Sequence, residues 1–209
     1  PKLTTEAALV LEFDIGKEQW GDDGSYLKIN YGIHQRDDKE QVGITMFPYD
    51  TERFRLGYSY DISWGGGSIF PNKQGPAPGL KVQYDHEMFY VFMGAKTAQI
   101  LNPDSNELET NYGGLVGGGV DFTKMFRLEF GGGYFNMGQN PKSSVLGKPV
   151  DGSGGSVNLT LHDGVPIGKS VDFRLYKNDP EARETMFKEE VFDGQLSWLI
   201  STEASVLFQ

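Results

Sequence analysis

Apolar side chains recur at every second position through most of this chain, the signature of β-strands whose two faces differ chemically. From Phe54 to Trp64 the pattern is unbroken. Phe54, Leu56, Tyr58, Tyr60, Ile62 and Trp64 share one face, and Arg55, Gly57, Ser59, Asp61 and Ser63 share the other. The same period runs through Ala7, Leu9, Leu11, Phe13 and Ile15 against Glu12 and Asp14, and through Leu27, Ile29, Tyr31 and Ile33 against Lys28, Asn30 and His34. It returns at Phe126, Leu128, Phe130 and Tyr134 against Arg127 and Glu129. Shorter runs are Val42, Ile44 and Met46; Leu80, Val82 and Tyr84; Val116, Val120 and Phe122; Val157, Leu159 and Leu161; Val171, Phe173 and Leu175; and Phe192, Leu196, Trp198 and Ile200. Together they predict one all-β domain over residues 1–209, with about twelve strands bounded by turn residues. The single helical signal follows Asp179, where Pro180, Glu181 and Glu184 predict a short surface helix near 180–189.

The connections alternate in length. Gly65–Gly79, Leu101–Asn111, Met137–Gly154 and Lys177–Glu189 read as long, while His86–Glu87, Thr123–Met125 and Asp163–Gly168 read as short. An up-and-down antiparallel meander with one trimmed and one elaborated rim produces this alternation. Arg36–Glu40 is the exception, short where the rule asks for a long connection.

Composition changes the picture in three ways. No apolar run approaches the ~18 residues of a membrane-spanning helix, so any crossing falls to strands of about 9–11 residues. Segments 7–16, 25–35, 54–64, 112–122 and 126–136 have that length. Glycine supplies 28 of the 209 residues and aromatics 13%; together these suit curved strands with rings lying over bare backbone. Cysteine is absent and the net charge is −10, which removes thiol chemistry and disfavours a phosphate-rich nucleic-acid partner. Trp20, Tyr26, Tyr49, Trp64, Phe70, Tyr112, Tyr134 and Trp198 fall near strand ends, where a membrane girdle places its aromatics.

In the alternation of Phe54–Trp64 and its companions, the glycine and aromatic enrichment, the acidity and the loop alternation, the chain resembles bacterial outer-membrane β-barrel proteins. The resemblance is to an architecture. It implies a single up-and-down antiparallel transmembrane β-barrel, integral to the outer membrane, in contact with lipid and lipopolysaccharide and with other envelope proteins or lipoproteins. It implies lipid-facing positions at Phe54, Leu56, Tyr58, Tyr60, Ile62, Phe126, Leu128 and Phe130. The ending Val206-Leu207-Phe208-Gln209 places Phe208 one residue short of the terminal aromatic of such barrels. Leu207-Phe208-Gln209 also looks like the remnant of a viral-protease tag site, so the ending carries little weight.

With the apolar parity outward, the lumen-lining charges are Glu12, Asp14, Asp61, Asp85, Asp121, Glu129 and Asp172 against Lys28, Arg55, Lys81, Lys96, Arg127 and Arg174. A selective pore needs an excess of one sign at its constriction, whereas mixed charges at close quarters pair and fill the interior. The expectation is an occluded barrel acting as an anchor or scaffold subunit of an envelope assembly. A small passive or substrate-selective channel is the first alternative, and a soluble lipocalin-like binding barrel the second.

No enzymatic chemistry is expected. His34, His86 and His162 have no second ligand at a fixed spacing, no G-x-S-x-G elbow is present, and the glycine runs lack the Lys-Ser/Thr and helix of a phosphate loop. Residues 102–109 lack the glycine and spacing of a calcium loop, so neither a metal nor a cofactor is expected.

Overall fold

The structure, a computed structural model, describes residues 2–16, 18–22, 24–34, 37–49, 54, 78–102, 104–139, 149–163 and 198–208. Among these it is all-β. The strands are β1 (Leu3–Ala8), β2 (Leu11–Asp14), β3 (Gln19–Asp22), β4 (Tyr26–His34), β5 (Asp37–Phe47), β6 (Gly79–Asp85), β7 (Phe89–Leu101), β8 (Leu108–Thr123), β9 (Phe126–Gln139), β10 (Pro149–Asp163) and β11 (Trp198–Phe208). Nine of them form one sheet in the order β1-β4-β5-β6-β7-β8-β9-β10-β11, and β2 pairs with β3. Every pairing is antiparallel. The sheet is a meander, with sequence neighbours also neighbours in space except where β2 and β3 intervene. It is not closed into a barrel among the described residues: β1 and β11 are its two edges.

The strands alternate because neighbouring residues face opposite sides of the pleat. Ile29, Ile44, Val82, Met93 and Val116 lie in one row across β4 to β8, all on the outward face. Asp121 and Arg127 sit opposite each other at the β8–β9 turn, on the inward face. The longest strand, β8, has 16 residues, about 53 Å of chain at ~3.3 Å per residue, so it exceeds the predicted 112–122 at both ends.

Two expectations are corrected here. Segment 7–16 is not one strand. It divides at Leu9–Val10, where Val10 N–H donates to Ser25 Oγ at 2.9 Å and the Ser25 hydroxyl donates back to the Val10 carbonyl at 3.4 Å. These bonds replace the ladder bonds that a continuous pair would make there. The second correction concerns the rims. β5 pairs directly with β6, so no strand stands between those two in the sheet, and the predicted strand 54–64 lies, apart from Phe54, outside the described residues. The ends of β4 and β5 at His34 and Asp37 and the turns His86–Met88 and Lys124–Met125 share one rim. The β2–β3 hairpin, Asn102–Glu107 and the ends of β9 and β10 at Gln139 and Pro149 share the other. Asp37–Glu40 belong to β5, so the predicted Arg36–Glu40 connection is mostly strand; the predicted connections Asp163–Gly168 and Lys177–Glu189 lie, past Asp163, outside the described residues. The predicted strand at 171–175 and helix at 180–189 lie outside the described residues.

Candidate functional site

The nine-stranded sheet sets two chemically different surfaces back to back, an apolar outer one and an inner one that mixes polar and charged groups with buried rings. Outward, large apolar side chains stand exposed: Tyr31, Ile44, Leu80, Val91, Met93, Val116, Phe130, Val157 and Ile200 among them, with Met93 63% exposed at mid-sheet. On three strands this outward stretch begins and ends on an aromatic, namely Tyr112 and Phe122 on β8, Phe126 and Tyr134 on β9, and Trp198 and Phe208 on β11. These stretches run about 27–33 Å along the strand at ~3.3 Å per residue, or about 20–25 Å in height at a ~40° tilt. Beyond Tyr134 the next outward residues are Asn136 and, opposite it, Asp151, so the apolar band stops.

Inward, polar and charged groups are buried. Thr45, Lys81, Asp85, Lys96, Asn111, Arg127, Glu129, Ser156, Asn158 and Thr160 are all shielded, Glu129 completely at 0% exposure. Burying such groups costs several kcal/mol each unless they are partnered, and partners are present. Arg127 grips Asp121 through two bonds, Nε to Oδ1 at 2.5 Å and an Nη nitrogen to Oδ2 at 2.7 Å. The Asp85 carboxylate accepts from Gln41 Nε2 at 3.1 Å and Gln83 Nε2 at 2.8 Å. On β10 and β11 the Ser201 hydroxyl donates to Asn158 Oδ1 at 2.9 Å, and the Thr160 hydroxyl donates to the same oxygen at 3.1 Å.

The glycines make this packing possible. Tyr90 on β7 lies across Gly119 on β8, its register partner, and its hydroxyl donates to Glu129 Oε1 on β9 at 2.6 Å. A Cβ at position 119 would stand 2.6 Å from the Tyr90 ring. Gly94 provides the second such seat, filled by the ring of Phe54.

Phe54 departs from its predicted place. Expected to face lipid, it is 0% exposed on the inward side. Its ring stacks on Phe47 at 6.1 Å and meets Phe92 edge-on at 6.1 Å, while its carbonyl accepts from Lys96 Nζ at 2.8 Å. Lys81 Nζ lies 5.9 Å from the same ring, a cation–π distance. Bare backbone at Gly94 makes room for it: a Cβ there would stand 2.6 Å from the Phe54 ring. Sequence reasoning missed this aromatic cluster of Phe47, Phe54, Tyr90, Phe92 and Phe135. The available signal was the set of inward glycines 94, 117, 119 and 133, each with a ring within 2.8 Å of where a Cβ would be.

Of the other predicted inward charges, Lys81, Lys96, Asp85, Arg127 and Glu129 are buried on the inner face and Asp121 is half-buried there; Lys28 lies on the same face, opposite Glu6. Glu12 and Asp14 are corrected: they fall on β2, outside the nine-stranded sheet, and Asp14 Oδ1 accepts from Gly16 N–H at 2.8 Å to cap the hairpin turn. Of the predicted outward positions, Phe126 and Leu128 are half-buried and Phe130 exposed on the outer face. Arg55, Asp61, Asp172, Arg174, Leu56, Tyr58, Tyr60 and Ile62 lie outside the described residues.

The inward charge is also layered by height. Asp85, Asp121 and Glu129 stand toward the short-turn rim with Arg127, and Lys28, Lys81 and Lys96 toward the other rim with Glu6. Lys81 and Asp85 on β6 are about 13 Å apart along the strand, too far for a direct pair. The bonds of Asp121 and Arg127 therefore form within a layer.

His86 lies at the β6–β7 turn, its ring stacked on Phe89 at 4.8 Å. Among the described residues no three His, Asp or Glu side chains gather as a metal site, and no helix is long and apolar enough to cross a membrane. Comparison with protein-family models, curated proteins and solved structures finds no match to this chain.

Proposed function

We propose that this chain is an integral outer-membrane β-barrel of a bacterial envelope, serving as an anchor or scaffold subunit with an interior filled by its own side chains. The observation that carries the reading is the inversion of the sheet: Met93, Val116 and Phe130 stand exposed outward while Lys81, Arg127 and Glu129 are buried inward. A water-soluble sheet hides its apolar face, so a soluble lipocalin-like binder built this way would leave its stickiest surface in water. Hydrocarbon is the solvent in which the exposed face is satisfied, and the aromatic-bounded stretches match the ~25 Å apolar band of transmembrane barrels. The partners that follow are outer-membrane lipid and lipopolysaccharide on the outer face and envelope proteins or lipoproteins at the rims.

The two edges, β1 and β11, run in the same direction, since eight antiparallel steps separate them. An all-antiparallel closure thus takes an odd number of further strands between them, three for the expected total of about twelve. Occlusion is supported by the Phe47–Phe54–Phe92 cluster and the Asp121–Arg127 pair on the inner face. The test is fractionation with a heat-modifiability gel. The protein is expected in the membrane fraction after a urea wash, with a folded band that shifts on boiling. Solubility and refolding in plain buffer would sink the membrane reading. Steady single-channel currents after reconstitution would replace the occluded scaffold with a channel.

A further inference from the structure

The β2–β3 hairpin extends past the sheet as the continuation of β1 and β4. The register Leu3↔Tyr31 to Ala8↔Tyr26 is followed, after the Val10–Ser25 bridge and a shift of one residue, by Leu11↔Asp22 to Asp14↔Gln19. β5 accompanies β4 only as far as Leu27↔Met46 on this side, and among the described residues no further strand pairs with the hairpin beyond it. One of its sides is apolar and open: Leu9 is 78% exposed, Ile15 83% and Trp20 67%, with Leu11 and Phe13 exposed beside them. Phe13 and Trp20 are cross-strand partners with ring centroids 5.1 Å apart. Leu9, Leu11, Phe13 and Ile15 are all exposed on one side of their strand, as Leu3 is, and the one-residue shift brings even-numbered Trp20 of β3 to that same side.

We propose that the hairpin is an interfacial anchor, laying Leu11, Phe13, Ile15 and Trp20 into the headgroup and upper acyl region of the bilayer beside the rim from which it emerges. The inference rests on the membrane reading above. Tryptophan and phenylalanine are the side chains that such a boundary favours, because a large apolar ring is shielded from water there while polar neighbours stay wet. The hairpin's own charges, Glu12, Asp14, Lys17, Glu18, Asp22 and Asp23, are mostly acidic. Attraction to anionic headgroups is therefore not what holds it, and neutral lipid suffices.

Two single-tryptophan proteins test it: W64F/W198F retains Trp20, and W20F/W64F retains Trp198, the aromatic at one end of the outward stretch of β11. Each is reconstituted into phosphatidylcholine vesicles carrying bromine at a shallow or a deep acyl position. Trp20 should emit to the blue of its position in unfolded protein, and shallow bromine should quench it more than deep bromine. Trp198 should be quenched in parallel as the control for membrane insertion. If Trp198 is quenched while Trp20 stays red and open to aqueous iodide, the anchor is overturned and the membrane reading survives. If Trp20 is shielded from bromine and iodide alike, a protein surface such as a second copy covers the hairpin, and the lipid anchor is again overturned. If neither tryptophan senses bromine, the membrane reading fails and takes the anchor with it.

Discussion

The outer and inner faces of the same strands obey opposite rules, and β7 to β9 show both within a few residues. Outward, Met93 and Val116 are cross-strand partners and both stand exposed. Inward, Tyr90 crosses Gly119 to Glu129, sealing a carboxylate from solvent. In water this assignment wastes the hydrophobic term, which rewards covering apolar surface at about 25 cal/mol per Å², and it adds the cost of desolvating lysines and carboxylates. The comparison teaches that burial here follows pairing. Inward groups are tolerated because rings, amides and opposite charges meet them, and the outward set fits the apolar medium proposed above.

Five substitutions sharpen or break that contrast. Arg127→Ala leaves Asp121 with neither of its two guanidinium bonds on the inner face and should cost about 3–5 kcal/mol in a urea titration; a change near zero would mean that the inner face is wet and its pairs dispensable. Val116→Arg, at the middle of the outward stretch of β8, should cost about 2–4 kcal/mol in vesicles. On a soluble protein the same exposed site would tolerate arginine within about 0.5 kcal/mol. Gly94→Ala drives a methyl into the Leu80 carbonyl and the Phe54 ring, each 2.6 Å away or less, and should cost about 1–3 kcal/mol. Combining it with Phe54→Ala should recover part of that loss, and strict additivity would show that Phe54 does not occupy the seat. Thr110→Arg, outward on β8 but beyond Tyr112, should cost about 0–1 kcal/mol. Equal penalties at Val116 and Thr110 would erase the apolar band.

What the sequence made legible follows from how local each feature is. The alternation of Val116 to Phe122 and of Phe126 to Tyr134 located β8 and β9 and the parity of their faces, because the pleat converts spacing directly into side. β7 has no such polarity contrast: Tyr90, Phe92, Ala98 and Ile100 point inward while Phe89, Val91 and Met93 point outward, so only its flanking turns marked it. The break at Leu9–Val10 was invisible because parity carries through it unchanged; what signals it is Ser25, fifteen residues away in the chain. Phe54 illustrates the same limit, since its seat at Gly94 depends on a contact between distant segments. The rule that glycines admit rings was readable, but which ring meets which glycine depends on strand register. So did the Asp121–Arg127 pair, which forms across the irregular β8–β9 turn.

The central claim is that the outer face meets lipid and the inner face does not, and the cysteine-free chain permits a direct measurement. A nitroxide is attached to a single cysteine at Met93 or at Ser156, and collision rates with oxygen and with a water-soluble nickel chelate are read in phosphatidylcholine vesicles. The account predicts that the Met93 label collides readily with oxygen and is shielded from nickel, while the label at Ser156 is sheltered from oxygen-rich lipid. Ready nickel access at Met93 would contradict it.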